Sequence, residues 1–421
     1  MRPLLADGWI DRLAVALITP SGREVYTFSA DPGRPTPRDA LFEIGSISKV
    51  YNALILATAV AARELTLETP VSSLWPAAQA LDAAPGPVTL EHLATHTAGL
   101  PRLPATFAPR DATDPYADFD DAALVRALAT TTLEAPPGER YAYSNLGAGL
   151  LGRALAERFE RSWEALLRER VLAPLGLSDT HVSLDAAAAP RLVEGHTADG
   201  VPTPPWAFDA LAGAGALRAT IDDAARFLEA QLHPEATPLE AAIRLTQTPR
   251  HPLAGGGHIA LGWHVAAPGA LWHNGGTGGF RSFAAIRPQD GLGVVVLASS
   301  AASQVDALGG RLLGLAAGRP AEPLSLPPLA RLDAATLDRC AGRYALEEGG
   351  ALEVSREGGH LVATFGDQAP LRLFPETATR FRFRAFEGLV DFEFEDSVPL
   401  AASLRWDAAG ERGAARRLPT P

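Results

Sequence analysis

Cysteine is almost missing from these 421 residues: Cys340 stands alone, which excludes an internal disulfide and a cysteine-rich metal site. Long apolar runs are missing as well. No stretch approaches the roughly 18–20 apolar residues of a membrane span, so no span is expected. The N-terminal stretch MRPLLADGWIDRLAVALITPSG carries Asp7, Asp11 and Arg12 where a secretory core would be unbroken. That pattern predicts no signal peptide and a soluble, cytoplasmic chain. Positive charge is in the minority, with 37 Lys and Arg against 49 Asp and Glu and a net charge of −12. Such a balance repels polyphosphate, and nucleic acid is not an expected partner. Scarcest among the basic residues is lysine: Lys49 is the only one, and the other 36 of the 37 are arginine.

That last scarcity has chemical content. A sequence that uses arginine everywhere else could have used it at position 49. Surface charge hardly distinguishes the two residues, but a buried lysine can lose its proton near neutral pH and an arginine cannot. The plain alternative is compositional drift, which would leave stray lysines anywhere.

What is present is enough for a sizeable core. The chain is 47% hydrophobic and 20% charged, and at about 150 residues per domain it has room for two or three domains. Residues 13–19 and 24–29 read as strands around the turn Pro20-Ser21-Gly22, hence a hairpin. Helical spacing runs from Val50 onward, and further helices are expected near 120–129, over 146–171, at 221–232 and at 304–317. Strands return at 259–266, 270–274, 282–288 and 293–299. Strands at both ends with helices between them predict one α+β domain, an antiparallel sheet flanked by helices with a helical subdomain. The expected division is a catalytic domain over 1–317, a Pro-rich linker over 318–330 and a small antiparallel β-barrel over 331–421. The barrel rests on short strand-like runs such as ALEVSRE, HLVATF, RFRFRAF and SLRWDA, with period-two alternation and turns between them.

Three clusters carry candidate chemistry. Ser46 and Lys49 stand three residues apart at a helix start, on one face and about 5–6 Å apart at Cβ. A capping box would want Glu or Gln at the third position, and a cation there opposes the helix dipole. That field, with burial against Ile47 and Val50, lowers an ammonium pKa, and a neutral Lys49 can take the proton of Ser46 and make it a nucleophile. The second cluster is Tyr143-Ser144-Asn145, between the Pro-Pro-Gly turn at 136–138 and a helix; alone it is a loop triplet. The third is His273-Asn274-Gly275-Gly276, where a strand ends in a glycine-rich stretch that lets a ligand backbone approach. The glycines do not lead from a strand into a helix of a βαβ unit, which argues against a dinucleotide. His92 and His96, four apart, have zinc-ligand spacing but no obvious third ligand, so neither a metal nor a cofactor is expected. His258 and His264 read as structural, and Cys340 as a small core residue.

Together and in this order the three clusters resemble the serine β-lactamase and penicillin-binding-protein superfamily, in its class C-like branch of DD-peptidases, D-aminopeptidases and esterases. FEIGSISK, LEHLATHTAGLP (90–101), PPGERYAYSNLGAGLLG (136–152), GALRATIDDAARF (215–227) and GLGVVVLAS (291–299) all look like that branch. The resemblance implies that Ser46 is the acyl-enzyme nucleophile, Lys49 its proton acceptor and Tyr143 a proton shuttle. It implies that Asn145 holds Lys49 and a substrate carbonyl. It also implies that backbone N–H groups of Ser46 and Gly276 form the oxyanion hole, with His273 and Gly275 at the substrate edge. The C-terminal part resembles an appended lipocalin-like barrel. Where class C β-lactamases carry Lys-Thr-Gly this chain has His273-Asn274-Gly275, replacing a cation and a hydroxyl by an imidazole and an amide. The expectation is therefore a serine hydrolase of a small ester or a short peptide or amide, with esterase or peptidase activity favoured over β-lactamase activity. An acyltransferase or peptide cyclase using the same acyl-enzyme is the alternative, as is a sensor that acylates without turnover. The oligomeric state is left open.

Overall fold

Strands β1 (Arg12–Thr19) and β2 (Gly22–Ser29) form the N-terminal hairpin of a computed structural model of the chain. The residues described are 1–6, 8–83, 86–320, 329–346, 350–365, 370–384, 388–395, 398–408 and 411–419. β1 is buried along nearly its whole length because it lies inside a sheet, whereas β2 at the edge alternates between wetter and drier positions. The sheet has eight strands, completed by β3 (His251–Pro252), β4 (His258–Ile259), β5 (His264–Ala266), β6 (Ala270–Gly276), β7 (Arg281–Arg287) and β8 (Leu292–Ala298). Its order is β2-β1-β8-β7-β6-β5-β4-β3, antiparallel throughout. The N-terminal strand β1 thus lies beside the last strand β8, one strand in from the sheet edge, where Leu13 pairs with Ala298. The run expected as one strand over 259–266 is split, because the chain turns at Ala260–Trp263 and Ala260 N–H donates to Trp263 O (2.7 Å).

Both faces of the sheet are covered. Helix α1 (Ser48–Ala61), α2 (Asn145–Arg158) and α3 (Ile221–Leu232) share one core with Ala284, Ile286, Val295 and Leu297. α1 is buried almost all round, as its apolar sequence SKVYNALILATAVA requires of a central helix. Helix α4 (Gln304–Ala316) covers the opposite face, its Gly309 against the Phe283 ring. The expected helix over 146–171 is two: α2 ends at Arg158, and Ser162 caps a second helix by accepting from Ala165 N–H (3.2 Å).

The C-terminal part is a closed antiparallel barrel of eight strands, β9 (Gly342–Leu346), β10 (Ala351–Glu357), β11 (His360–Phe365), β12 (Leu371–Pro375), β13 (Arg380–Arg382), β14 (Gly388–Glu393), β15 (Ser403–Ala408) and β16 (Glu411–Arg417). Pairing of Tyr344 with Arg417 closes it and removes the sheet edges. Its interior is packed by Leu352, Val354, Leu361, Leu373, Phe381 and Leu404, with Leu337 and Cys340 from the preceding helix. Burial raises the Cys340 thiol to about 12, so it stays protonated.

Contacts divide the described residues into two compact units. One lies within Asp11–His196 and Pro202–Ala321, the other within Met1–Ile10, Thr197–Val201 and Glu322–Pro421. Residues 1–10 and 197–201, assigned by the sequence division to the first domain, group with the barrel by this measure. Of the Pro-rich segment 318–330, residues 321–328 lie outside the described residues. Among the described residues, no helix is long and apolar enough to cross a membrane.

Candidate active site

Ser46 sits in a single 3-10 turn, Gly45–Ile47, that leads directly into α1. It caps no helix through its side chain, and it is only partly buried while its neighbours on both sides are buried. The turn is pressed against the end of β6. Gly45 has a φ of +49°, and a Cβ there would stand 2.7 Å from Gly276 N. A Cβ on Gly275 would stand 2.0 Å from Ile44 O, the same oxygen that accepts from Ser282 Oγ (2.8 Å). The glycines of β6 therefore let a strand backbone touch the chain that carries Ser46, and they bring Gly276 N beside it.

Lys49 lies one turn into α1 and is 3% exposed. Its Nζ is 2.9 Å from Ser46 Oγ and donates to Ala214 O at 2.6 Å. No carboxylate pairs with it among the described residues. A buried ammonium with no counter-ion is strongly disfavoured. Burial accordingly pushes the Lys49 pKa well below its ordinary 10.5, and the nearby Arg102 cation pushes in the same direction.

The segment bearing Tyr143 and Asn145 is held by LEHLATHTAGLP. Ala142 N–H donates to His96 O (2.8 Å), Gly138 N–H to Thr97 O (2.7 Å) and Glu134 N–H to Gly99 O (2.7 Å). His96 accepts Ser144 N–H through Nδ1 (3.2 Å), which leaves its proton on Nε2, and its ring lies 4.5 Å from the Tyr143 ring. Ser144 caps α2 by accepting Gly147 N–H (2.9 Å), so Tyr143 is fixed immediately before a helix start. Lys49 Nζ stands 4.9 Å from the Tyr143 ring centre, and Arg102 Cζ stands 5.2 Å from it. Burial raises the phenol well above its ordinary pKa, while its hydrogen bond with Ser46 works the other way. Ser46, Lys49 and Tyr143 are thus brought together.

Asn145 differs from its expected role. Its Nδ2 donates to Tyr116 OH (3.0 Å), and its buried Oδ1 has no hydrogen-bond partner. The group that holds Lys49 is the Ala214 carbonyl, which comes from the stretch before α3 and carries no side-chain signal in the sequence.

On β6, side chains alternate. His273 faces the core and is 1% exposed, whereas Asn274 points to the α4 face and donates to Asp306 Oδ2 (2.6 Å). The amide expected to stand in for a gripping hydroxyl is therefore turned away from Ser46 and secured by Asp306, which also pairs with Arg281. His273 Nδ1 donates to Asn274 O (2.5 Å), so the neutral ring presents its Nε2 lone pair, and Nε2 has no hydrogen-bond partner. Burial holds this imidazole well below its ordinary pKa, and the neighbouring His264, Lys49 and His96 reinforce that.

Two histidines matter more than the sequence indicates. His264, read as structural, stacks on Trp272 (4.6 Å), lies 5.2 Å from the His273 ring and shares a hydrogen bond with Tyr141 OH (3.0 Å). Burial lowers its pKa to about 4. His96 packs on Tyr143 and is kept neutral in the same way. His92 instead accepts Thr89 N–H through Nδ1 (3.3 Å) in a capping box. Among the described residues, no three His, Cys, Asp or Glu side chains stand close enough to hold a metal ion.

The sequence profile of the Beta-lactamase family matches residues 2–318. The chain belongs to that family. It is similar to a β-lactamase of Escherichia coli (strain K12), 29% identical over 339 residues, which are 70% of this chain and 86% of that protein. Penicillin-binding protein 4 of Amycolatopsis lactamdurans is 30% identical over 341 residues, 74% of this chain and 86% of its own. The D-alanyl-D-alanine-carboxypeptidase/endopeptidase AmpH of Escherichia coli (strain K12) is 27% identical over 277 residues, 62% and 71% of the two chains. This β-lactamase-family chain is a serine hydrolase in general type, as its relatives and its class C-like motifs support together.

Proposed function

We propose that the chain cleaves an ester or amide through an acyl-Ser46 intermediate and favours simple esters or short peptides over β-lactams. The observation that carries this reading is the Lys49 amine, buried without a counter-ion 2.9 Å from Ser46 Oγ. Ser46 Oγ attacks the acyl carbon while its proton passes to the Nζ lone pair. The carbonyl electrons move onto oxygen, which the N–H groups of Ser46 and Gly276 receive; such a pair commonly contributes a few kcal/mol. Collapse expels the leaving group, protonated from Lys49 through the Tyr143 phenol. Water then attacks the acyl carbon, returns its proton by the same route and releases a carboxylic acid and free Ser46.

The preference rests on His273. A neutral imidazole with an open Nε2 lone pair offers no cation to a β-lactam carboxylate, and suits an uncharged or N–H-bearing substrate edge. The peptidase among the relatives agrees with this reading. A panel of p-nitrophenyl esters, D-amino-acid amides and a chromogenic cephalosporin, run with intact-mass detection of acylated protein, tests it. Ester or amide kcat/KM is expected to exceed that of the cephalosporin by at least about tenfold, with all labelling lost in Ser46→Ala. Faster cephalosporin turnover overturns the preference, and labelling of Ser46→Ala overturns the nucleophile.

A further inference from the structure

The barrel unit also contains a cleft lined by charged side chains. This open cleft of about 780 Å³ is lined by Arg331, Arg372, Arg384, His360 and Asp199, with Leu329, Leu332, Phe374 and Pro375 as its apolar wall. In a chain of net charge −12, three guanidinium groups and one carboxylate, that of Asp199, line this cleft among the described residues. Two of the guanidinium groups, those of Arg384 and Arg372, are held by the fold. Arg384 is 3% exposed, its guanidinium 4.2 Å from the Trp9 ring centre and 3.9 Å from that of Phe374, and it donates to Gly8 O (2.9 Å). Arg372 donates through Nη1 to Asp199 O (3.1 Å), and its backbone N–H donates to Asp199 Oδ2 (3.0 Å). The Arg372 guanidinium forms no ion pair with a carboxylate among the described residues. The field is felt nearby: burial and the charges of Arg372 and Arg384 lower the His360 pKa, so that ring is a neutral hydrogen-bonding group.

A guanidinium fork fits a carboxylate with two parallel hydrogen bonds, and the apolar wall fits a hydrocarbon body. We propose that this cleft binds a small organic carboxylate, its oxygens on the guanidinium groups of Arg372 and Arg331 and its apolar part against Phe374, Leu332 and Pro375. This reading is independent of the chemistry at Ser46. Calorimetric titration of the full chain with octanoate, acetate and inorganic phosphate tests it. Octanoate is expected to bind one per chain, at least about tenfold more tightly than acetate or phosphate, and to change the fluorescence of Trp9. Arg372→Gln, which removes a charged hydrogen-bonding partner, weakens octanoate by about tenfold or more. Should Arg372→Gln fail to fold, Arg331→Gln at an exposed position is expected to weaken it at least about threefold. No saturable octanoate binding, phosphate binding tighter than octanoate, or unchanged affinity in the folded variant overturns the proposal.

Discussion

Gly275 and Ile44 touch so closely that a single methyl group on the glycine would stand 2.0 Å from the Ile44 carbonyl oxygen. Neither partner can yield easily, since both are backbone and the same oxygen already accepts from Ser282. Gly275→Ala therefore separates β6 from the turn that carries Ser46. The expected result is a loss of about 1–3 kcal/mol of stability, as for other overpacked sites, and at least about tenfold slower acylation of Ser46. Urea unfolding and timed intact-mass labelling measure the two effects. Unchanged values would mean that the strand is free to move.

Lys49 and Arg102 both stand within about 5 Å of the Tyr143 ring centre, and the phenol hydrogen-bonds with Ser46. If its phenol delivers the leaving-group proton, Tyr143→Phe hurts most where the leaving group is poor. A fall of about 10²–10⁴-fold, the usual range for general acid–base catalysis, is expected for an amide, and a clearly smaller one for a p-nitrophenyl ester. Equal losses for both substrates would point to a packing role.

Arg102 adds a like charge near Lys49 and helps lower its pKa. Arg102→Ala removes that repulsion, so the Lys49 pKa rises and more alkali is needed to free the amine. The acid limb of the kcat/KM profile should move to higher pH while the plateau changes less. A limb that stays in place would leave burial as the sole cause.

Much of this was legible in the sequence because it follows from short-range rules. The hairpin at 12–29, α3 with Asp222 and Asp223 in its first turn and the pairing of a solitary lysine with Ser46 all depend on local pattern. What escaped depends on contacts distant in sequence. The Ala214 carbonyl at Lys49 belongs to a backbone 165 residues away, and the Tyr141–His264 pair spans 123 residues. Asn274 was misread because alternation along β6 sends it to α4, where Asp306 is 32 residues on. Strand β16 was missed since ERGAARR has no apolar alternation to mark it.

The buried histidines make the fold acid-sensitive. His264 has a folded pKa of about 4 against an ordinary 6.5, so between those values the unfolded chain binds a proton that the folded one does not. Its contribution is complete above pH 6.5 and is lost as pH falls toward 4. That difference corresponds to about 3 kcal/mol. In urea titrations at pH 7 and pH 4.5, the wild-type chain is expected to lose about 2 kcal/mol more on acidification than His264→Asn. Equal losses would mean that the ring is solvated in the native state.

The most direct test of the chemistry at Ser46 is the pH dependence of its acylation rate, followed by mass in single turnover for the wild type and Lys49→Arg. With a neutral Lys49 as base, the wild-type rate reaches its plateau well below pH 10.5, and Lys49→Arg is slower by at least about 10³-fold at every pH because guanidinium cannot accept the proton. Near-normal acylation by Lys49→Arg, or a wild-type rate still climbing toward pH 10.5, would contradict it.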